Sequence, residues 1–501
     1  MKRIGYQLLV AINGDGVSAG KLGGRAARAA LLATLIAALL CATNAFAETR
    51  PHYGGTLRVM MQAAPSALDL SYNPANVAPS DYWDLARTLT LIGDTLVTLD
   101  AQGRPRPALA LAWENEAGTR RWQFTIRRGV KFQDGSGASP AAMAQILGAL
   151  HPGWTVRATA DSISIDSETP LPSLLAELAL PRNLLFKSNK TSKVPLGTGP
   201  FLVADWQPGQ LLKLAANEEC WKGRPFVNAV EIEFGKSLRD QALALELGKT
   251  DVIEAAPQAA NLALQRMASS SSLSSSLPVE LLALVFSANS KAQDPHLREA
   301  LALAIDRQPI QSVLLKGAGE PAASILPNWM TGYSAVFPNS ANLPRARALI
   351  ADSRLPVLNL SYDPRDPQAQ LIAERIALNA RDAGISVQVS LSGAEDIRLV
   401  RVVLPSPDPA TALSEAAGQL GLPHPLLTEA SLDDLYRAEH TLLEGYSVIP
   451  LFHLPLASVA SARVRDWEPG LLGDWTEPGA SAGNALGNIW LTESRSGSAS
   501  P

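Results

Sequence analysis

The sequence predicts a mixed α/β fold in which parallel strands coexist with antiparallel pieces. Three stretches carry this reading. "LPVLNLSYDP" followed by "DPQAQLIAERIALNARDAGISVQVSL" reads strand, helix, strand, the unit that joins parallel strands. In "RWQFTIR", Trp122, Phe124 and Ile126 alternate with Gln123, Thr125 and Arg127, the period-2 pattern of a strand with one wet face. "GTGPFLVADWQPGQLLKLAAN" reads strand, turn, strand, with the turn at Pro208–Gly209. The chain has 501 residues, 47% hydrophobic and 18% charged, which allows several domains and a sizeable core. No segment repeats with a period of about 20–50 residues.

The first residues read as a leader rather than as fold. Lys2, Arg3, Lys21, Arg25 and Arg28 form a basic stretch, and "AALLATLIAALLCA", Ala29 to Ala42, is apolar except for Thr34. That run suits a signal h-region of about 7–15 residues better than a span of about 20. Ala45-Phe46-Ala47 is the small-x-small pattern of signal peptidase, so cleavage is expected after Ala47. The alternatives are a single N-terminal anchor and lipid attachment at Cys41, where Leu40 is larger than the usual preceding residue. Residues 1–47 hold five Lys/Arg and one Asp, so the formal charge of −4 becomes about −8 for the remainder. Neither value suits a nucleic-acid binder. Cys220 is then the one cysteine left, with no partner for a disulfide, and reads as a small buried hydrophobe.

Along the remaining chain, Thr56 to Met61 reads as a strand after a glycine turn. "SDYWDLARTLTLIGDTLVTLD" reads as a helical stretch with Ser80 as N-cap. Asp134-Gly135 is a turn, and "DSISIDSE" is a short alternating strand. "RDQALALELGKTDVIEA" is a helix closed by Gly248 and then a strand. "SSSSLSSSL", Ser269 to Leu277, reads as an exposed loop, and "VELLALVFSAN" as an apolar strand. "DPHLREALALAIDRQPIQSVLLKG" is the strongest helix signal, capped by Asp294 with Pro295 in the first turn. "SLDDLYRAEHTLLEGYSVIPLFHL" is helix then strand, and "ESRSGSASP" a loose tail.

Catalytic and metal signatures are missing from the sequence. "VPLGTGPF", Val194 to Phe201, has no lysine, leads into a strand and places Pro200 where a phosphate would need an N–H, so it reads as a tight corner served by glycine freedom, with an anion site as the alternative. There is no G-x-S-x-G elbow and no H-E-x-x-H. His52, His151, His296, His424, His440 and His453 are scattered, so no metal site and no cofactor is expected. Asp433-Asp434 reads as a solvated helix start.

The order of segments resembles the family 5 extracellular solute-binding proteins of ABC transporters, the oligopeptide, dipeptide and nickel-binding group. "GGTLRV", "LALAWENEAGTRRWQFTIRRGVKFQDGSGASP", "PLGTGPFLVADWQPGQLLKLAANEECWKGRPFVNAVEIE", "LELGKTDVIE", "REALALAIDRQPIQSVLLKGAGEPAASILP" and "EHTLLEGYSVIPLFH" carry the match across most of residues 53–455. The resemblance implies a type II-like periplasmic binding fold with two lobes and a hinge, in a three-domain variant with a discontinuous first domain. The expected boundaries are 1–47 for the signal peptide, 48–75 plus 195–280 plus 455–492 for domain I, 76–194 for an inserted and shortened domain II, 281–454 for domain III and 493–501 for the tail. It also implies a monomer, exported to the periplasm or tethered to the membrane, that captures a peptide-like or similar small solute and delivers it to a permease. A sensor or chaperone of the same fold is the alternative, and a secreted hydrolase a third reading that the missing motifs disfavour.

Candidate ligand-binding residues follow from segment position in that family. Tyr72 and Asn76, in "SYNPAN", offer ring surface and an amide. Arg401 offers a fork for a carboxylate, with a solvated strand residue as the alternative. Trp83 and Trp329 are candidate aromatic walls, with core packing as the alternative. In peptide-binding relatives an aspartate anchors the peptide amine three residues before an acid-proline pair. Here that pair is Asp408-Pro409 and the position holds Pro405, so Asp408 is either a substitute or a turn residue. His453, in "PLFH", is expected to pack.

Overall fold

Two long strands, Ser271–Phe286 and Val448–Ser461, run antiparallel through the molecule and organise a sheet of eleven strands. The computed structural model describes residues 51–70, 79–100, 102–187, 194–256, 271–333, 335–351, 354–391, 395–425, 427, 431–467 and 488–492. Tyr72, Asn76, the leader with Cys41 and Ala47, and the tail 493–501 lie outside the described residues. His52–Pro501 fold as one unit.

On one side of the long strands lie Ile397–Val403, Leu358–Tyr362 and Val387–Val389. On the other lie Val252–Ala255, Thr56–Met60, Ala229–Glu233, Leu211–Ala216 and Phe201–Gln207. Leu358–Tyr362 is parallel to both its neighbours, as is Thr56–Met60 to both of its own. Each half of the sheet thus has a parallel centre, and the long strands belong to both. Their register shifts between Ser275 and Pro278, between Pro278 and Glu280, and between Leu282 and Ala283. Pro278 stands opposite Pro455 there, and neither has an N–H to offer the ladder. On either side of this break the long strands pack into different cores, Leu282 and Ile449 in one and Leu273 and Val459 in another. The serine-rich run expected as a loop is part of the strand from Ser271 onward, because its backbone pairs with Ala457–Ser461 whatever its side chains prefer.

Alternate residues of one strand feed two cores. Leu282 and Leu284 pack with Ile372 and Ile376 of the helix Ala369–Ala383. Leu281 and Ala283 face the other way, onto Leu413 and Ala416 of the helix Pro409–Gln419. Leu57, Val59, Val230, Ile232 and Phe201 fill the core of the other lobe. A separate antiparallel sheet orders Ala110–Asn115, Arg121–Ile126, Ser162–Ser167 and Trp154–Ala158. Trp122, Phe124 and Ile126 are its buried alternation, covered by Met143 and Leu147 of the helix Pro140–Leu150.

Two helices differ from expectation. The one beginning at Pro79 has Ser80 inside its first turn and ends at Leu89; the rest of that stretch is a turn and the strand Val97–Leu99. The helix from Pro295 stops at Ala304, because Ile305 is extended and Asp306 starts a new turn by accepting from Gln308 N at 3.2 Å.

The corner at Gly197–Phe201 packs against the turn that follows the helix Pro79–Leu89. Neither Gly197 nor Gly199 has a left-handed φ, so freedom of the backbone is not what they supply. A Cβ on Gly197 would stand 2.1 Å from the Ile92 carbonyl oxygen, and one on Gly199 2.6 Å from the Ile92 carbonyl carbon. Glycine is needed for close approach of two backbones. Gly199 N and Phe201 N donate to the carbonyls of Ile92 and Leu91 at 2.9 and 3.0 Å. Beside them Asp94 is buried and accepts from Thr198 Oγ1 at 2.7 Å, Trp221 Nε1 at 2.9 Å and Lys222 Nζ at 2.6 Å. Burial alone would raise this carboxyl; Lys222 and the two hydrogen bonds outweigh it and hold it below its ordinary value. Cys220, next to this cluster, is buried, and burial pushes its thiol up, away from the reactive thiolate.

Candidate functional site

A cleft of about 960 Å³ lies between the lobes, lined from one side by Gln62, Trp83 and Ala255 and from the other by Tyr362 and Leu391. Its floor includes Glu280 and Pro455 at the crossing of the long strands. Topology places it: Gln62, Glu254 and Ser361 stand at or just beyond the carboxyl ends of parallel strands, where open α/β sheets form their binding crevices.

The ionic lining of this cleft has a repeated pattern. Arg87, on the helix Pro79–Leu89, bonds Asp84 at 2.8 Å and Glu254 at 2.5 Å. Arg365, in the turn after Leu358–Tyr362, bonds Asp363 at 2.7 Å and Asp81 at 2.9 Å, and so ties the turn to a helix 284 residues away in sequence. Arg401 bonds Glu280 at 2.6 Å and Asp366 at 2.7 Å. Each guanidinium therefore sits between two carboxylates. Among the described residues Arg398 is paired with Glu395, at 3.4 Å.

One carboxyl in each triad is pushed up. Burial raises Asp84 well above its ordinary value, Arg87 opposes this, and Glu254, hydrogen-bonded to Asp84, adds to it. Burial likewise raises Glu280 against the pull of Arg401, and Asp81 against that of Arg365. Asp363, by contrast, is held below its usual range: burial raises it, but hydrogen bonds from Arg365 outweigh that. Two carboxylates on one guanidinium leave one negative charge in excess, and a desolvated excess charge is relieved by a proton or by a cation.

The candidate residues are placed as follows. Arg401 lines the cleft, with its guanidinium already held by Glu280 and Asp366. Asp408 is the N-cap of the helix Pro409–Gln419, accepting from Thr411 N at 2.9 Å and Thr411 Oγ1 at 2.7 Å. Trp329 packs with Trp83, Val279 and Val403 behind the cleft, and its Nε1 donates to the Pro278 carbonyl at 2.9 Å. Trp83 lines the cleft and is 4% exposed; its indole N–H has no hydrogen-bond partner among the described residues. Arg401 and Trp83 thus share the cleft, whereas Asp408 is committed to a helix end.

His453 is buried and its Nε2 meets the Ile325 carbonyl at 2.9 Å, so that nitrogen carries the proton. Burial lowers its pKa to about 4, which keeps it neutral. The N–H of the same residue, Ile325, donates to Glu439, which also accepts from Leu326 N at 2.7 Å and Tyr333 Oη at 2.8 Å. Burial pushes Glu439 up to about 7 in spite of these three donors. Among the described residues no group of three His, Cys, Asp or Glu is arranged to hold a metal ion.

The cleft carboxylates were not singled out from the sequence, although signals existed. "YDPRDPQ" follows a parallel strand at its carboxyl end, and Glu280 is a lone acid in the apolar run "VELLALVF". A charge in such a run must be paired once buried.

Comparison with known proteins agrees with this architecture. The nickel-binding periplasmic protein of Escherichia coli is 24% identical over 68% of this chain and 73% of its own length. The nickel-binding protein NikA of Staphylococcus aureus is 24% identical over 47% of this chain. The match spans 49% of the S. aureus protein, about half its length. The crystal structure of a dipeptide-binding protein from Pseudoalteromonas sp. SM9913 with Met-Leu superposes with a TM-score of 0.73 at 16% identity, over 87% of this chain and all of that one, a likeness of fold. The two-lobed fold is thus that of type II periplasmic binding proteins. The model of the bacterial extracellular solute-binding proteins, family 5 Middle, matches residues 104–399, more than half of the chain, and includes the turn and strand that carry Arg365 and Arg398. The chain belongs to the bacterial extracellular solute-binding proteins of family 5.

Proposed function

We propose that the protein captures a small solute in the cleft between its lobes and delivers it to the permease of an ABC transporter. The observation that carries this reading is the cleft itself: about 960 Å³, lined from both lobes, with its floor at an irregular two-strand crossing. Such a crossing is a hinge on which lobes close over a ligand. By their names, the relatives bind nickel or a dipeptide; we read the solute here as organic. We place the three expected domains on this architecture, with the 110–167 sheet in the inserted one, and read the protein as a monomer that binds without turnover.

Mass spectrometry of solute co-purified with the natively folded protein tests capture directly. A bound solute should raise the melting temperature, since only the folded state binds it, and should shrink the scattering radius. Steady release of an altered product would replace the reading by that of an enzyme. Export is tested by N-terminal sequencing: Glu48 is the expected first residue, and a lipid-modified Cys41 would make the protein membrane-tethered.

A further inference from the structure

We infer that the solute is a small organic cation carrying two or more ammonium or guanidinium groups, and at least one oxygen acceptor. The inference rests on the cleft being the solute site. Three independent ion clusters, on different segments, share one stoichiometry of two carboxylates to one arginine. The remaining arginine, Arg398, is matched one to one by Glu395. Among the described residues the charged lining therefore totals seven carboxylates against four guanidiniums, with no lysine or histidine. Each guanidinium already has a carboxylate within 3.4 Å. A ligand carboxylate entering here would add to the excess, whereas a cation completes each triad.

The second observation is Trp83. It is 4% exposed, it lines this cleft, and its indole N–H has no hydrogen-bond partner among the described residues. A buried unpaired donor calls for an acceptor, which a peptide carbonyl supplies and a plain diamine lacks. Together the groups describe a basic peptide or a comparable amino-bearing compound. The raised carboxyls of Asp81, Asp84 and Glu280 agree with this, since a bound cation would take the place of the proton each favours.

The experiment is calorimetry on the full chain with four probes at pH 7: the dipeptides Lys-Lys, Ala-Ala and Glu-Glu, and 1,4-diaminobutane. Lys-Lys should bind at least roughly tenfold more tightly than Ala-Ala, and Glu-Glu should bind least, with the preference shrinking as salt rises. Diaminobutane binding as well as Lys-Lys would retain the cation and overturn the acceptor. Glu280→Gln should cut the Lys-Lys preference about tenfold while leaving Ala-Ala little changed. Asp363→Asn, at a half-exposed position bonded to Arg365, should lower it in the same direction, with the melting temperature measured beside it to separate affinity from stability. Ala-Ala or Glu-Glu matching Lys-Lys, or neither cationic probe binding, overturns the inference. A neutral or anionic solute found by mass spectrometry would do the same and leave capture standing; no saturable solute of any charge would remove capture itself.

Discussion

Asp94 and Glu280 are both buried acids held by a cation, yet their surroundings act in opposite ways. Asp94 has Lys222 to itself, with Thr198 and Trp221 as further donors, and its carboxyl is held below the ordinary value. Glu280 shares Arg401 with Asp366, and burial wins: its carboxyl is pushed up. The first arrangement is complete and fixes a corner. The second lacks one positive charge, and it lines a cleft that a solute can enter. A buried acid with enough donors is structure; a buried acid that shares its only cation is poised for a ligand.

The largest effect should come from the complete site. Asp94→Asn keeps the shape and strands Lys222 beside the corner, so unfolding by denaturant should show a loss of about 3–5 kcal/mol. The pH dependence has a definite sign. Asp94 sits below its ordinary 3.8, so its contribution is present above that pH and is lost as pH falls through the lower folded value. An Asp94→Asn protein as stable as wild type at pH 7 would erase the contrast between corner and cleft.

Glu439 sharpens the comparison, because among the described residues it has three donors but no cation. Its pKa of about 7 lies above the ordinary 4.5, so its charging costs stability as pH rises across that window. His453, on the other side of Ile325, has a pKa of about 4 against 6.5, so its burial costs stability as pH falls through that window. The two slopes oppose each other. Glu439→Gln should remove the first and leave stability rising with pH between about 4 and 6.5, by about 3 kcal/mol overall. Melting curves across pH check this, and an unchanged profile would show that Glu439 titrates normally.

Glu280→Gln should behave unlike Asp94→Asn. It leaves Arg401 with Asp366 as a balanced pair, so stability at pH 7 should move by less than about 1.5 kcal/mol, in either direction. A loss as large as that expected at Asp94 would mean that Arg401 needs both carboxylates. The smallest effect belongs to Trp329→Phe, which drops the hydrogen bond to the Pro278 carbonyl at the crossing and should cost about 1 kcal/mol. A larger change in solute affinity than in stability would assign that bond to the hinge.

Much of the local structure was legible in the residues. The Trp122–Phe124–Ile126 alternation, the strand–helix–strand unit around Ala369–Ala383 and the Asp294 cap all follow from short-range rules, and all stand in the fold. Where short-range rules lost, a distant partner decided. Ser271–Ser275 is a strand because Ala457–Ser461 lies beside it. The helix ending at Leu89 gives way to a turn whose backbone is locked against Gly197–Phe201. Gly197 was legible as a corner, but the reason, a carbonyl 2.1 Å from an absent Cβ, required the second chain segment.

The sequence by itself determined the α/β class, the elements and the family, because these rest on periodicity, caps and the order of motifs along the chain. Only the tertiary structure decided what the charges do. Arg401 read as an open fork for a ligand carboxylate until folding brought Glu280 from 121 residues away and Asp366 from 35. Asp408 read as either a substitute anchor or a turn residue until Thr411 was found to donate to it. Coulomb attraction and desolvation depend on distance in space and on burial, and neither quantity is written in the spacing of residues along a chain.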